Sequence, residues 1–163
     1  MSTSPTIIGI DPGLSGALAM FTGDEIRMAK IPVIGSGKGR AYDLRGIYSL
    51  VQGLPTQPRI YLEGFASFGL GTSAVHSLVR CITAFEMSAL VLGVPITVVA
   101  PQTWQKVMLA NIEPKDLKPK AKAKIACERM WGAPTAKWSE GQRDAALIAE
   151  YGRRDVRAGE VAA

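Results

Sequence analysis

One histidine, His76, and two cysteines, Cys81 and Cys127, are the only imidazole and thiol groups in this chain of 163 residues. That scarcity leaves almost no material for a histidine-based zinc site or a Ser-His-Asp triad. The two cysteines stand too far apart in sequence for a paired metal spacing. They read as reduced, small core residues of a cytosolic protein. Apolar stretches are too short or too interrupted to span a bilayer, and no N-terminal signal pattern is visible, so no membrane partner is expected. Internal repeats and low-complexity blocks are also lacking.

What is present is enough for one domain with a proper core: apolar residues make up 47% of the chain, which excludes a disordered protein. Lysine and arginine outnumber the acids by 19 to 14, for a net charge of +5 and a sequence pI near 9.4. A basic balance of this size suits a polyanionic partner, although many proteins with the same charge bind none.

Three short apolar runs open the chain, at 6–11, 17–21 and 25–31, separated by Pro12-Gly13 and by Thr22-Gly23-Asp24. This spacing predicts an antiparallel three-stranded meander. Residues 34–40, with three glycines, read as a mobile loop. Leu44, Ile47, Leu50 and Val51 recur at helical spacing over 42–53. Residues 59–63 form a short strand with Ile60 and Leu62 on one face and Tyr61 and Glu63 on the other. A Gly-rich stretch, 64–71, precedes a long helix over 72–92, where Val75, Leu78, Val79, Ile82, Phe85, Ala89 and Leu90 form one stripe. A strand over 96–99, a short helix opened by Pro101, a linker over 114–119 and a lysine-studded helix to about Trp131 follow. The last helix starts at Ser139, where Ser139-Glu140-Gly141-Gln142 fits a capping box. Residues 153–163 read as a frayed tail behind an ordered core over about 5–152.

Three acids stand out from this frame. Asp11 ends the first strand and leads into a Gly-rich turn, Glu63 ends the strand at 59–63, and Asp144 shares a helix face with Leu147, Ile148 and Tyr151. Each has a plain structural reading. Asp-Pro-Gly is a common turn, Glu63 can be a solvated strand end, and Asp144 can face a buried arginine or the helix N-terminus. Taken in order, strand-Asp, strand-Glu and helix-Asp carry a stronger implication. Packed carboxylates repel one another and are costly to bury. Hard divalent cations such as Mg²⁺ or Mn²⁺ remove that cost, and two of them at such a cluster suit phosphodiester hydrolysis.

The segment Ile8-Gly9-Ile10-Asp11-Pro12-Gly13-Leu14-Ser15-Gly16-Ala17 resembles the first motif of the RuvC-like Holliday junction resolvases. Tyr61-Leu62-Glu63 resembles the second, and Arg143-Asp144-Ala145-Ala146-Leu147-Ile148-Ala149 the closing one. Between them, Pro101-Gln102-Thr103-Trp104-Gln105-Lys106 is similar to a segment of phage-type members. The resemblance runs from about Thr6 to Tyr151. It implies a single ribonuclease-H-like α/β domain over residues 1–163, built on a five-stranded mixed sheet flanked by helices. It further implies a homodimer that resolves four-way DNA junctions by paired cuts, with two Mg²⁺ or Mn²⁺ ions per site held by Asp11, Glu63 and Asp144, in a bacterial or phage-infected cytoplasm. Nothing in the chain points to a particular branch-migration partner. The family commonly carries a fourth carboxylate three residues before the last aspartate. Gly141 stands there, and Glu140 is the nearest acid able to replace it, its other reading being a helix N-terminal charge.

Lys118, Lys120, Lys122 and Lys124 spread over one broad helix face. They form either an ordinary solvated surface or, as the resemblance supports, a phosphate clamp. Phe65 and Phe68 either pack under the long helix or, as in the resembling resolvases, one of them (Phe68 is the better placed) enters the junction and stacks on a base. His76 and Arg80, one turn apart, are further candidate DNA contacts. A ribonuclease H, an actin-like kinase (for which the chain is too short) and an inactive junction-binding module are the competing readings.

Overall fold

The computed structural model describes residues 5–65 and 71–161. The meander forms as expected: β1 (Thr6–Asp11) pairs antiparallel with β2 (Ala17–Thr22), and β2 with β3 (Glu25–Lys30). The loop expected over 34–40 is shorter and more ordered. Two-residue strands β4 (Val33–Ile34) and β5 (Ala41–Tyr42) pair around a 3₁₀ turn at Gly37–Gly39. Asp43 then caps α1 (Leu44–Gln52), its Oδ1 accepting from the Gly46 amide at 2.9 Å. The strand β6 (Pro58–Glu63) returns beside β1 in parallel. The long helix α2 (Thr72–Leu92) ends at Gly93 in the left-handed conformation and leads into the edge strand β7 (Ile96–Val99). Three helices complete the chain: α3 (Pro101–Met108), α4 (Pro119–Trp131) and α5 (Glu140–Val161). The order β3-β2-β1-β6-β7 makes a five-stranded mixed sheet, antiparallel on one side of β1 and parallel on the other.

The period-two alternation of β1 and β6 sorts their side chains between two layers. Ile8, Ile10, Ile60 and Leu62 pack with Ile47 and Val51 of α1 and Cys81, Phe85 and Ala89 of α2. Ile7 and Tyr61 face the other way, against Trp104 of α3, Ala126 of α4 and Leu147 and Ile148 of α5. Gly9 and Asp11 share the face of Ile7, and Glu63 shares that of Tyr61. Both acids therefore belong to the side covered by α5.

Two expectations about helices need correction. In α2 the predicted stripe is only partly the packed one: Val79 and Leu90 are exposed, whereas Cys81 and Ser88 are buried. This helix is also long and apolar enough, by length and composition alone, to cross a bilayer, contrary to the reading of the sequence as too interrupted. A core helix passes the same test, and Cys81, Ile82, Phe85 and Ala89 are buried here.

The frayed tail expected from Arg153 onward is instead the second half of α5. Contacts distant in sequence hold it. The Tyr61 hydroxyl donates to Asp155 Oδ2 at 2.8 Å, and the Arg153 guanidinium lies 4.7 Å from the centre of the Phe21 ring. Tyr61→Phe should therefore cost about 1 kcal/mol and speed amide exchange over residues 153–161. Unchanged protection there would show that the hydrogen bond does not hold the helix end.

Candidate active site

Ile10 pairs with Leu62 in the parallel register of β1 and β6. One residue further on, Asp11 and Glu63 close these adjacent strands at the same end of the sheet. Asp144 comes from the second turn of α5, which lies across β1. The helix start is set locally by the capping box expected from the sequence. The Ser139 amide donates to Gln142 Oε1 at 2.8 Å, and the Gln142 amide donates to Ser139 Oγ at 3.2 Å.

Close approach of α5 to β1 depends on Gly9. A Cβ there would sit 2.2 Å from the Ala145 carbonyl oxygen and 2.3 Å from the Ala149 nitrogen. The same packing explains Gly141. A Cβ at this position would lie 2.9 Å from Asp11 Oδ2 and 2.8 Å from the Ser15 carbonyl oxygen. A side chain at 141 would enter space already taken by Asp11 and its turn.

The electrostatics show that the acids sense one another. Burial pushes the Asp11 carboxyl up to about 8, and the charges of Glu63, Asp144 and Glu140 add to the rise while Lys120 opposes it. Glu63 is pushed up to about 7, mainly by burial and further by Asp144, against the Trp104 hydrogen bond. Asp144 reaches about 6 through burial and then Glu140, with Lys120 and Arg143 opposing. As placed, no three His, Cys, Asp or Glu side chains among the described residues form a ready-made cation cage. The donor set nevertheless fits a hard divalent ion. It consists of carboxylates from the ends of β1 and β6 and from α5, each held away from its ionised form by burial and by like charge.

No family model matches the sequence, and no curated protein does. Solved structures do. The chain is similar to Thermus thermophilus RuvC in complex with a Holliday junction substrate, at 18% identity over 96% of this chain and 97% of that one, with a TM-score of 0.70. A second Thermus thermophilus RuvC structure matches at 18% identity over 94% and 96% of the two chains, with a TM-score of 0.61. The chain has the RuvC fold.

Within this RuvC fold the other candidate residues fall into separate groups. Glu140 is exposed and accepts from Lys120 Nζ at 2.5 Å, so this ion pair stands beside Asp144. Lys118 is the N-cap of α4. Lys122 turns back to donate to the Lys115 carbonyl at 2.8 Å, and Lys124 lies 3.9 Å from Glu128. Of the four lysines, Lys120 is the one whose charge acts on Asp11 and Asp144. His76 and Arg80 are exposed on α2. They line an open cleft of about 770 Å³ that also includes Gly13, Leu14 and Arg40 and so borders the turn after Asp11. Phe65 is exposed just beyond Glu63. Phe68 lies outside the described residues.

Two contacts escaped the sequence reading. The Arg40 guanidinium donates to the Leu14 carbonyl and ties the β4–β5 hairpin to the turn after Asp11. Trp104 Nε1 donates to Glu63 Oε1 at 2.8 Å. The only signal for the second was the requirement of a buried indole for a polar partner.

Proposed function

We propose that this protein is a metal-dependent endonuclease that cuts four-way DNA junctions. The observation that carries the reading is that Asp11 and Glu63 end the adjacent strands β1 and β6 of a RuvC fold on the side covered by α5, which carries Asp144, each acid raised by burial and by the charge of another acid. The solved RuvC complex with a Holliday junction substrate supports the choice of DNA.

In this reading Asp11, Glu63 and Asp144 hold Mg²⁺ or Mn²⁺, with Glu140 as the fourth acid. Bound divalent ions supply activation of a water and stabilisation of the leaving 3′ oxygen. The protein's own groups do the rest. The β1 and β6 ends fix two carboxylates side by side, and α5 brings the third over them. Lys120 places a positive charge at the rim, where a phosphate arrives. Arg40, His76 and Arg80 offer a second basic surface along the cleft beside the Asp11 turn. Paired cuts need two such sites, and the exposed Val79, Met87, Leu90 and Val91 of α2 supply an apolar face for a second copy of the chain.

The test is a gel assay on a four-way junction, a linear duplex and an RNA–DNA hybrid, each with Mg²⁺ or with EDTA. Symmetric nicks in the junction alone, lost in EDTA, are expected. Cleavage of the hybrid instead would assign a ribonuclease H, and a junction shifted but never nicked would assign an inactive binding module.

A second expectation concerns Lys120 and Lys124. Alanine at both should weaken junction binding and flatten the dependence of log affinity on log salt by about 0.9 for each phosphate that the protein no longer neutralises. Because the charge of Lys120 acts on Asp11 and Asp144, whereas Lys124 faces Glu128 on its own helix, the single Lys120→Ala variant should carry most of the loss. An unchanged slope argues against direct binding of phosphate by these lysines.

A further inference from the structure

The Trp104 side chain is 1% exposed, packed in the layer that holds Tyr61, Val99, Met108 and Leu147. Its placement follows from the chain path. Glu63 pairs with Val99 at the end of β7, and α3 begins two residues later at Pro101, which suits the first turn of a helix. Trp104 is thereby carried back beneath the end of β6. The ring is packed within this layer, and its N–H meets Glu63 Oε1 at 2.8 Å.

A buried indole can be satisfied by any carbonyl. Here it is directed at one of the three acids of the site, and it is the side-chain hydrogen bond that Glu63 receives among the described residues. One oxygen is engaged, and rotation of the carboxylate about its last bond is restricted. Partners of this kind orient metal-ligating carboxylates, and their loss commonly costs 10–100-fold in metal affinity or activity.

We infer that Trp104 is a positioning residue, an indole clamp that presents the Glu63 carboxylate to a divalent cation. The inference rests on the metal-dependent reading above. It predicts that the N–H, and not merely the ring volume, matters.

Two variants separate these contributions. Trp104→Phe removes the N–H and part of the ring. Replacement of Trp104 by benzothienylalanine keeps the bicyclic shape and removes only the N–H. Mn²⁺ binding to the DNA-free protein, followed by the paramagnetic resonance of free Mn²⁺, should weaken about 10–100-fold in both. Junction cleavage should lose kcat by a similar factor with KM unchanged. Mn²⁺ affinity retained by the benzothienyl variant would overturn the inference, whether or not Trp104→Phe folds, because the shape alone would then suffice. Wild-type protein that binds Mn²⁺ and cuts junctions, beside variants that do so equally well, would sink the clamp and leave the nuclease standing. Wild-type protein that does neither would remove both.

Discussion

Asp11→Asn should abolish divalent-dependent cleavage and, in the absence of metal, make the protein more stable at pH 8. The two effects have one origin. Burial and three neighbouring acids push the Asp11 carboxyl up to about 8, whereas in the unfolded chain it titrates near 4. Between these values the folded state holds a proton that the unfolded state has lost, so metal-free stability falls as pH rises through the window. Glu63, at about 7, and Asp144, at about 6, add to the slope in the same direction. A tenfold change in an ionisation equilibrium is worth about 1.4 kcal/mol. Asp11 is partly exposed, and solvent screening discounts the effect to about 2–3 kcal/mol at pH 8. For a domain of this size that amounts to a Tm higher by roughly 5–10 °C in the Asn variant.

Divalent cations should raise the Tm of the wild type at pH 8, do so much less near pH 5, and leave the variant almost unmoved. Cleavage should fall at least about a thousandfold, the equivalent of several kcal/mol of lost transition-state stabilisation, while junction binding persists. Thermal scans with and without Mg²⁺ across pH, together with single-turnover cleavage, check both halves. An Asn variant that cuts at the wild-type rate would remove Asp11 from the metal site. Metal-free wild type that gains stability between pH 5 and 8 would contradict the buried acids.

The site was legible in the sequence where local rules govern it. A strand buried on both faces and ending in Asp11, a strand whose alternation puts Glu63 with Tyr61, and a capping box that sets the phase of Asp144 all depend on near neighbours. The antiparallel meander follows from the same patterns, whereas the five-stranded mixed sheet is implied by the resemblance. What escaped depends on partners far away in sequence. Gly141 registers in the sequence only as a missing carboxylate, and the reason it is glycine is the position of Asp11 and Ser15 against α5. The charged run after Tyr151 looks unable to pack, yet Phe21, Asp24 and Tyr61 hold Arg153 and Asp155. The spacing of the lysines does not show that Lys122 reaches the Lys115 carbonyl and Lys124 reaches Glu128. Trp104 could be assigned to the core, but not to Glu63.

Gly9→Ala tests the packing on which the whole cluster depends. Most core positions answer an added methyl by shifting a side chain, at a cost of about 1–3 kcal/mol. At Gly9 there is no side chain to shift. The new Cβ would face the Ala145 carbonyl oxygen at 2.2 Å and the Ala149 nitrogen and Cα at 2.3 and 2.8 Å, all of them α5 backbone. Relief requires α5 to lift from β1, and α5 buries Ala145, Ala146, Leu147, Ile148 and Ala149. The cost should therefore exceed the usual range, at about 4 kcal/mol, a loss in Tm of roughly 10 °C or more. Lifting α5 also withdraws Asp144, the residue before Ala145, from Asp11, two residues after Gly9. Any folded fraction should bind Mn²⁺ weakly and cut slowly even where circular dichroism shows native helix content. A Gly9→Ala protein with wild-type Tm and wild-type metal affinity would mean that the helix does not lie on the strand this closely, and the three acids would then have no reason to meet.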